Sequence, residues 1–121
     1  MVSRMSQKKA LVSEIHFTNI AKPLGERQGN EWYEWVVYVN EGPGILSQIK
    51  AVEYLLHRTF VDPLRRMTDR NSKFALRSSG WGEFDILITV FFADGSRLET
   101  TYSLDLSRSW DSTLPVTTPS G

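Results

Sequence analysis

The chain contains no cysteine. Disulfides, thiolate zinc sites and thiol nucleophiles are therefore excluded. Histidine is scarce: His16 and His57 are the only two, too few for a histidine-rich metal site, and no metal or other cofactor is expected. Neither sign of charge is in excess. Fourteen Lys and Arg balance fourteen Asp and Glu, for a formal net charge of zero. Non-specific binding to a polyanion rests on surplus Lys and Arg, so nucleic acid is not expected as a partner. No apolar run approaches the roughly 20 residues that span a bilayer. The basic start MVSRMSQKK is not followed by the long apolar stretch of a signal peptide. The expectation is an intracellular, cytoplasmic protein with no membrane contact in this segment.

What the chain does have is aromatic side chains, with four Trp, four Tyr and six Phe, several beside β-branched residues. That composition favours strands. Its 121 residues suit one domain with one core. Residues 1–9 read as a disordered arm, residues 10–108 as a folded domain, and the Ser-, Thr- and Pro-rich residues 109–121 as a flexible tail or linker.

Alternation gives the strands. Residues 11–20 form a first one, with Ile15 and Phe17 on one side. Residues 22–30, with Pro23 and two glycines, read as a loop. In residues 34–40, Trp35, Val37 and Val39 face the core, and Val36 and Tyr38 face the other way. Glu41-Gly42-Pro43-Gly44 is a turn. Residues 45–57 fit both a helical stripe (Ile49, Val52, Leu56) and a strand (Val52, Tyr54, Leu56). Residues 58–72 read as a loop, 74–76 as a short strand, and 78–82 as a turn carrying Trp81. Residues 84–92 alternate most clearly. Asp94-Gly95 is a hairpin signal, and residues 98–106 form the return strand. Several short strands separated by turns suggest a sandwich or barrel.

Two motifs carry a resemblance. Leu56-His57-Arg58-Thr59-Phe60 and Gly80-Trp81-Gly82-Glu83-Phe84 occur in this order and spacing in the YEATS family. Trp35-Val36-Val37-Tyr38-Val39, Pro63-Leu64-Arg65-Arg66 and the ILITVFF run at 86–92 resemble that family as well. The likeness covers about residues 30–106. It implies an all-β, immunoglobulin-like β-sandwich of about seven to eight strands, and it turns the ambiguous residues 47–56 into a strand. It also implies a reader of acetyl- or crotonyl-lysine that is not an enzyme, with an acylated-lysine peptide or protein as partner. Carried over motif to motif, Phe60 and Trp81 are the aromatic walls, Thr59 supplies a hydroxyl, His57 lines the wall, and Gly80 and Gly82 flank the second aromatic. The glycines would let the backbone approach closely and adopt positive φ if required. The ligand is neutral, so the pocket needs no carboxylate, and an unmodified ammonium would lie there without an anionic partner.

Some family features are missing. No histidine stands shortly before Trp35, where the chain has Trp32-Tyr33-Glu34, and Asn71-Ser72-Lys73-Phe74 stands where a Pro-Pro-aromatic run is common. These departures look like the prokaryotic branch. They open the alternative of a prokaryotic sensor or protein-interaction domain within a larger signalling or defence protein, with a non-histone or small-molecule ligand.

Without the resemblance each residue has a plainer reading. Phe60 and Trp81 are core or turn aromatics, His57 caps a strand, Thr59 is an ordinary strand residue, and Glu83 braces a loop. Arg65, Arg66, Arg70, Lys73 and Arg77 read as a solvated basic loop; in a reader domain they would hold the flanking peptide. No nucleophile elbow, P-loop or Rossmann motif occurs.

Overall fold

The computed structural model describes residues 14–110. The arm expected at 1–9 and all of the expected tail except Ser109 and Trp110 lie outside the described residues. Seven strands form: β1 (Phe17–Arg27), β2 (Asn30–Val39), β3 (Ile49–Leu55), β4 (Leu64–Met67), β5 (Leu76–Gly80), β6 (Asp85–Phe92) and β7 (Arg97–Ser103). They make a three-stranded sheet in the order β1-β2-β5 and a four-stranded sheet in the order β4-β3-β6-β7, with every neighbouring pair antiparallel. Two antiparallel sheets face to face are the immunoglobulin-like sandwich that the motifs imply.

The period-two pattern sets the core. Trp35, Val37 and Val39 of β2 meet Val52 and Tyr54 of β3 and Ile86, Ile88 and Val90 of β6 in one buried cluster. Burying each large apolar side chain contributes roughly 1.5–3 kcal/mol. The opposite face of β2 is buried too. Val36 and Tyr38 join Ile20 and Ala75 in a second cluster, against which Trp110 packs. The last described residues therefore cross onto the outer face of the three-stranded sheet. The Ala21 N–H donates to Arg108 O at 2.8 Å, and Ser109 forms a parallel bridge with Ala21. Asn19 ties this crossing down. Fully buried, it donates to Asp105 O at 2.9 Å and accepts from Asp105 N at 3.0 Å and from the Tyr102 hydroxyl at 2.5 Å.

Several local readings are corrected. Residues 22–30 are not a loop. β1 continues to Arg27, with a register shift between Pro23 and Gly25, and only Gln28 and Gly29 turn, both at positive φ (53° and 85°). Two positive φ values are what a tight hairpin demands, and Pro23 is tolerated because β1 is an edge strand. Of the first strand expected at 11–20, residues 11–13 lie outside the described residues and β1 begins at Phe17, although the Asn40 N–H already donates to His16 O at 2.8 Å. The turn at 41–44 gives way to one helical turn, α1 (Pro43–Leu46). Within the expected loop 58–72, Leu64–Met67 pairs with β3 as an edge strand. The short strand expected at 74–76 begins only at Leu76, since Lys73 and Phe74 both take positive φ (61° and 56°). The expected turn 78–82 is strand up to Gly80. The return strand stops at Ser103, although Leu104 is buried beyond it.

Candidate functional site

The loop that joins β3 to β4 is held at its base by the Leu56 N–H, which donates to Pro63 O at 2.8 Å. Inside it, the Phe60 N–H donates to His57 O at 3.0 Å. Arg65 reaches back from β4 and donates through Nε to Asp62 O (2.6 Å) and through Nη2 to Val61 O (2.9 Å). The loop is thus braced from both ends. His57 Nδ1 accepts the Thr59 backbone N–H at 3.3 Å and lies 2.9 Å from Thr59 Oγ1. A nitrogen that accepts an N–H carries no proton. In the Nε2–H tautomer of His57, Nδ1 accepts from both the Thr59 N–H and the Thr59 hydroxyl, and the hydroxyl oxygen keeps its lone pairs for another donor.

The connection from β5 to β6 faces this loop. Between them lies a cavity of about 510 Å³ lined by His57, Thr59, Phe60, Gly80, Trp81 and Gly82, together with Trp32, Val61, Ser79, Glu83 and Phe84. All six residues expected at the site are therefore brought together. The volume is in the usual range for a small-ligand site. Trp81 stands at the rim with 57% of its surface exposed. Phe60 is half-buried, and its ring lies 5.3 Å from Phe84 and 6.3 Å from Trp35. Trp35 is fully buried and meets Phe84 edge-on at 6.1 Å. Edge-to-face packing of this kind fixes ring orientation, so Phe60 is held by the core while its other side faces the cavity. The Trp35 indole N–H has no acceptor among the described residues; its ring neighbours are Phe60 and Phe84.

Three details differ from expectation. Neither Gly80 nor Gly82 has a positive φ. A Cβ on Gly80 would sit 3.5 Å from Phe60 Cζ, in ordinary contact, and one on Gly82 would meet nothing within 4 Å. Neither position therefore needs glycine for space, although a side chain at Gly80 would touch the Phe60 ring. Second, the cavity does carry a carboxylate: Glu83 lines it. Its Oε2 accepts the Leu106 N–H at 2.8 Å, which is the loop-bracing role expected of it. Third, the basic residues of 65–77 are not a free, solvated cluster. Arg66 pairs with Glu53 at 2.9 Å. Arg70 donates to Leu46 O and Ile49 O at 3.0 and 2.9 Å. Arg77 pairs with Glu34.

Trp32, Val61, Ser79 and Phe84 were not anticipated. Trp32 became visible only with the β1–β2 hairpin, where it pairs in register with Gly25. Phe84 lies within the second motif but reads as the first residue of a strand. Among the described residues no group of three or more His, Cys, Asp or Glu could hold a metal ion, and no helix is long and apolar enough to cross a membrane.

Comparison with known proteins places this geometry. The family model of the prokaryotic YEATS domain matches residues 33–105. The Protein AF-9 homolog of Candida glabrata is 34% identical over 89 residues, covering 68% of this chain and 39% of that protein. The one from Kluyveromyces lactis is 30% identical over 102 residues, covering 78% and 46%. The chain thus spans less than half the length of these relatives. Among solved structures, the Yaf9 YEATS domain recognising an H3K122suc peptide superposes with a TM-score of 0.60 at 29% identity, covering 77% of each chain. The same domain bound to H3K27ac gives 0.59 at 29% identity, covering 77% of this chain and 76% of the other.

Proposed function

The chain belongs to the prokaryotic YEATS family, and on that footing we propose that it is an acyl-lysine reader whose cavity takes the acylated side chain between Phe60 and Trp81. The single observation that carries the reading is the His57–Thr59 hydrogen bond at 2.9 Å. It leaves the threonine oxygen as an acceptor at the cavity wall, where the ligand supplies an amide N–H. The Trp81 backbone N–H, at the end of β5, donates to the acyl carbonyl. An amide buried without such partners would cost about 1–3 kcal/mol. The aromatic faces contribute roughly 0.5–1.5 kcal/mol per stacked contact beyond area burial.

His57 orients the hydroxyl, and Phe84 and Trp35 hold the Phe60 ring. Gly80 leaves room beside that ring. In this reading the domain binds and does no chemistry. It acts inside the cell on an acylated peptide or protein, with acetyl and crotonyl as the acyl groups. Isothermal calorimetry with acetyl-lysine, crotonyl-lysine and unmodified peptides tests it. The acylated peptides bind, the unmodified one does not, and Phe60→Ala abolishes the heat. Equal heats with all three peptides would refute the reading.

A further inference from the structure

The exposed apolar surface of the domain is not scattered. Among the described residues six large hydrophobics are exposed, from 38% for Leu24 to 81% for Val61. Val61 and Trp81 line the cavity itself. Leu24 sits on the β1–β2 hairpin beside Gly25, the register partner of Trp32. The other three form a row. Leu55 of β3 pairs in register with Leu64 of β4 on one side and with Leu87 of β6 on the other, and Leu87 pairs with Thr101 of β7. Three leucines abreast on the outward face of a sheet are a liability unless something covers them.

The row floors a shallow groove of about 380 Å³, which Glu53, Thr89, Glu99 and Thr101 also line. The groove and the cavity share no lining residue but are joined by short stretches of chain. Leu55 and Leu64 are the first pair below the β3–β4 loop. Leu55 is two residues from His57 and Leu64 three from Val61, so the row begins within about 10 Å of the cavity wall, the limit set by about 3.3 Å per extended residue.

We propose that the Leu64–Leu55–Leu87 row is a second docking site for the same partner, taking an apolar side chain that lies two to five residues from the acyl-lysine. This rests on the acyl-lysine reading. The short chain separation of row and cavity, with exposed Val61 between them, argues for a single extended peptide that crosses the β3–β4 loop. Glu99, at the far side of the groove, favours a basic residue next to the apolar one. The chemistry of the partner is then an acylated lysine followed or preceded by a leucine-like side chain, with Lys or Arg beside it.

The test uses the whole labelled chain and three probes: acetyl-lysine blocked at both ends, an acetyl-lysine peptide with Gly and Ser flanks, and a peptide series with one leucine at successive flanking positions. Leucine at one position on one flank tightens binding about tenfold, as expected from partly burying one such side chain. The double variant Leu55→Thr, Leu87→Thr, which keeps strand propensity at two exposed sites, removes that gain and leaves blocked acetyl-lysine binding unchanged. Binding of blocked acetyl-lysine with no leucine gain, or a gain that survives the double variant, overturns the second site and spares the cavity reading. No binding by any probe overturns both. A concentration-dependent dimer that the double variant dissolves would assign the row to a second copy of the chain and also overturn the proposal.

Discussion

Thr59 Oγ1 and the Thr59 backbone N–H both meet one ring nitrogen, His57 Nδ1, at 2.9 and 3.3 Å. The pair sets the hydroxyl as donor inward and acceptor outward. Thr59→Val keeps the shape and removes the acceptor. It should weaken acyl-lysine binding at least about tenfold, the lower end of the cost of leaving the ligand amide N–H unpaired. His57→Phe keeps the ring contact with Phe84 and frees the hydroxyl to rotate, so its loss should be smaller. Calorimetry on the two variants checks the order.

Glu83 lines the cavity while its Oε2 holds the Leu106 N–H. A neutral acyl group is little affected by this carboxylate, but one ending in a carboxylate is repelled. Glu83→Gln should therefore leave acetyl-lysine binding within about twofold and strengthen succinyl-lysine binding by roughly threefold or more, a screened charge pair at the surface being worth about 1 kcal/mol or less. Unmodified lysine should bind still more weakly to this variant. Fluorescence titration with the three ligands measures all of these effects.

Asn19 links β1 to the segment after β7 through Asp105 N, Asp105 O and Tyr102. Asn19→Ala leaves these groups partly unpaired in a buried place. Stability should fall by about 2–3 kcal/mol, read by urea unfolding. The outer face of the three-stranded sheet should loosen first, reported by amide exchange at Ala21.

His16 sits at the described N-terminal edge with Nδ1 2.8 Å from Glu41 and Nε2 3.5 Å from Glu14. The hydrogen bond to Glu41, then the charge of Glu41, then that of Glu14 raise its pKa above the ordinary imidazole value. The folded state therefore holds the proton more tightly than the unfolded one. The stabilisation is full below the unfolded value of about 6.5 and is lost as pH rises through the raised folded value. An NMR titration of the His16 ring should show a midpoint above that of an unstructured histidine, and Glu41→Gln should bring it down.

The strands that were legible in the sequence are those with an unbroken apolar core face at every second residue. β2 and β6 alternate over a full strand length, and their core-facing residues Trp35, Val37, Val39, Ile86, Ile88 and Val90 are the buried ones. Where both faces are wet the pattern vanishes. The second half of β1, with Lys22, Pro23, Glu26 and Arg27, is exposed throughout, so nothing in its hydropathy separates strand from loop. β4 is four residues long, and its two arginines hide the half-buried Met67. The six expected site residues could be named only because two motifs matched a family. Spacing alone could not bring residues 57–60 beside 80–82, since that proximity comes from the packing of two sheets. The same dependence hid Trp32, whose place at the cavity follows from the Gln28-Gly29 turn.

The most direct measurement is a ¹⁵N-NMR titration of the tryptophan indole N–H groups with acetyl-lysine and crotonyl-lysine peptides and an unmodified control, with Trp81→Ala to assign the Trp81 peak. The reader account predicts that the Trp81 indole shifts and saturates with the acylated peptides only, while that of buried Trp35 moves little. An unmoved Trp81 peak up to millimolar acylated peptide, or an equal shift with unmodified lysine, would contradict it.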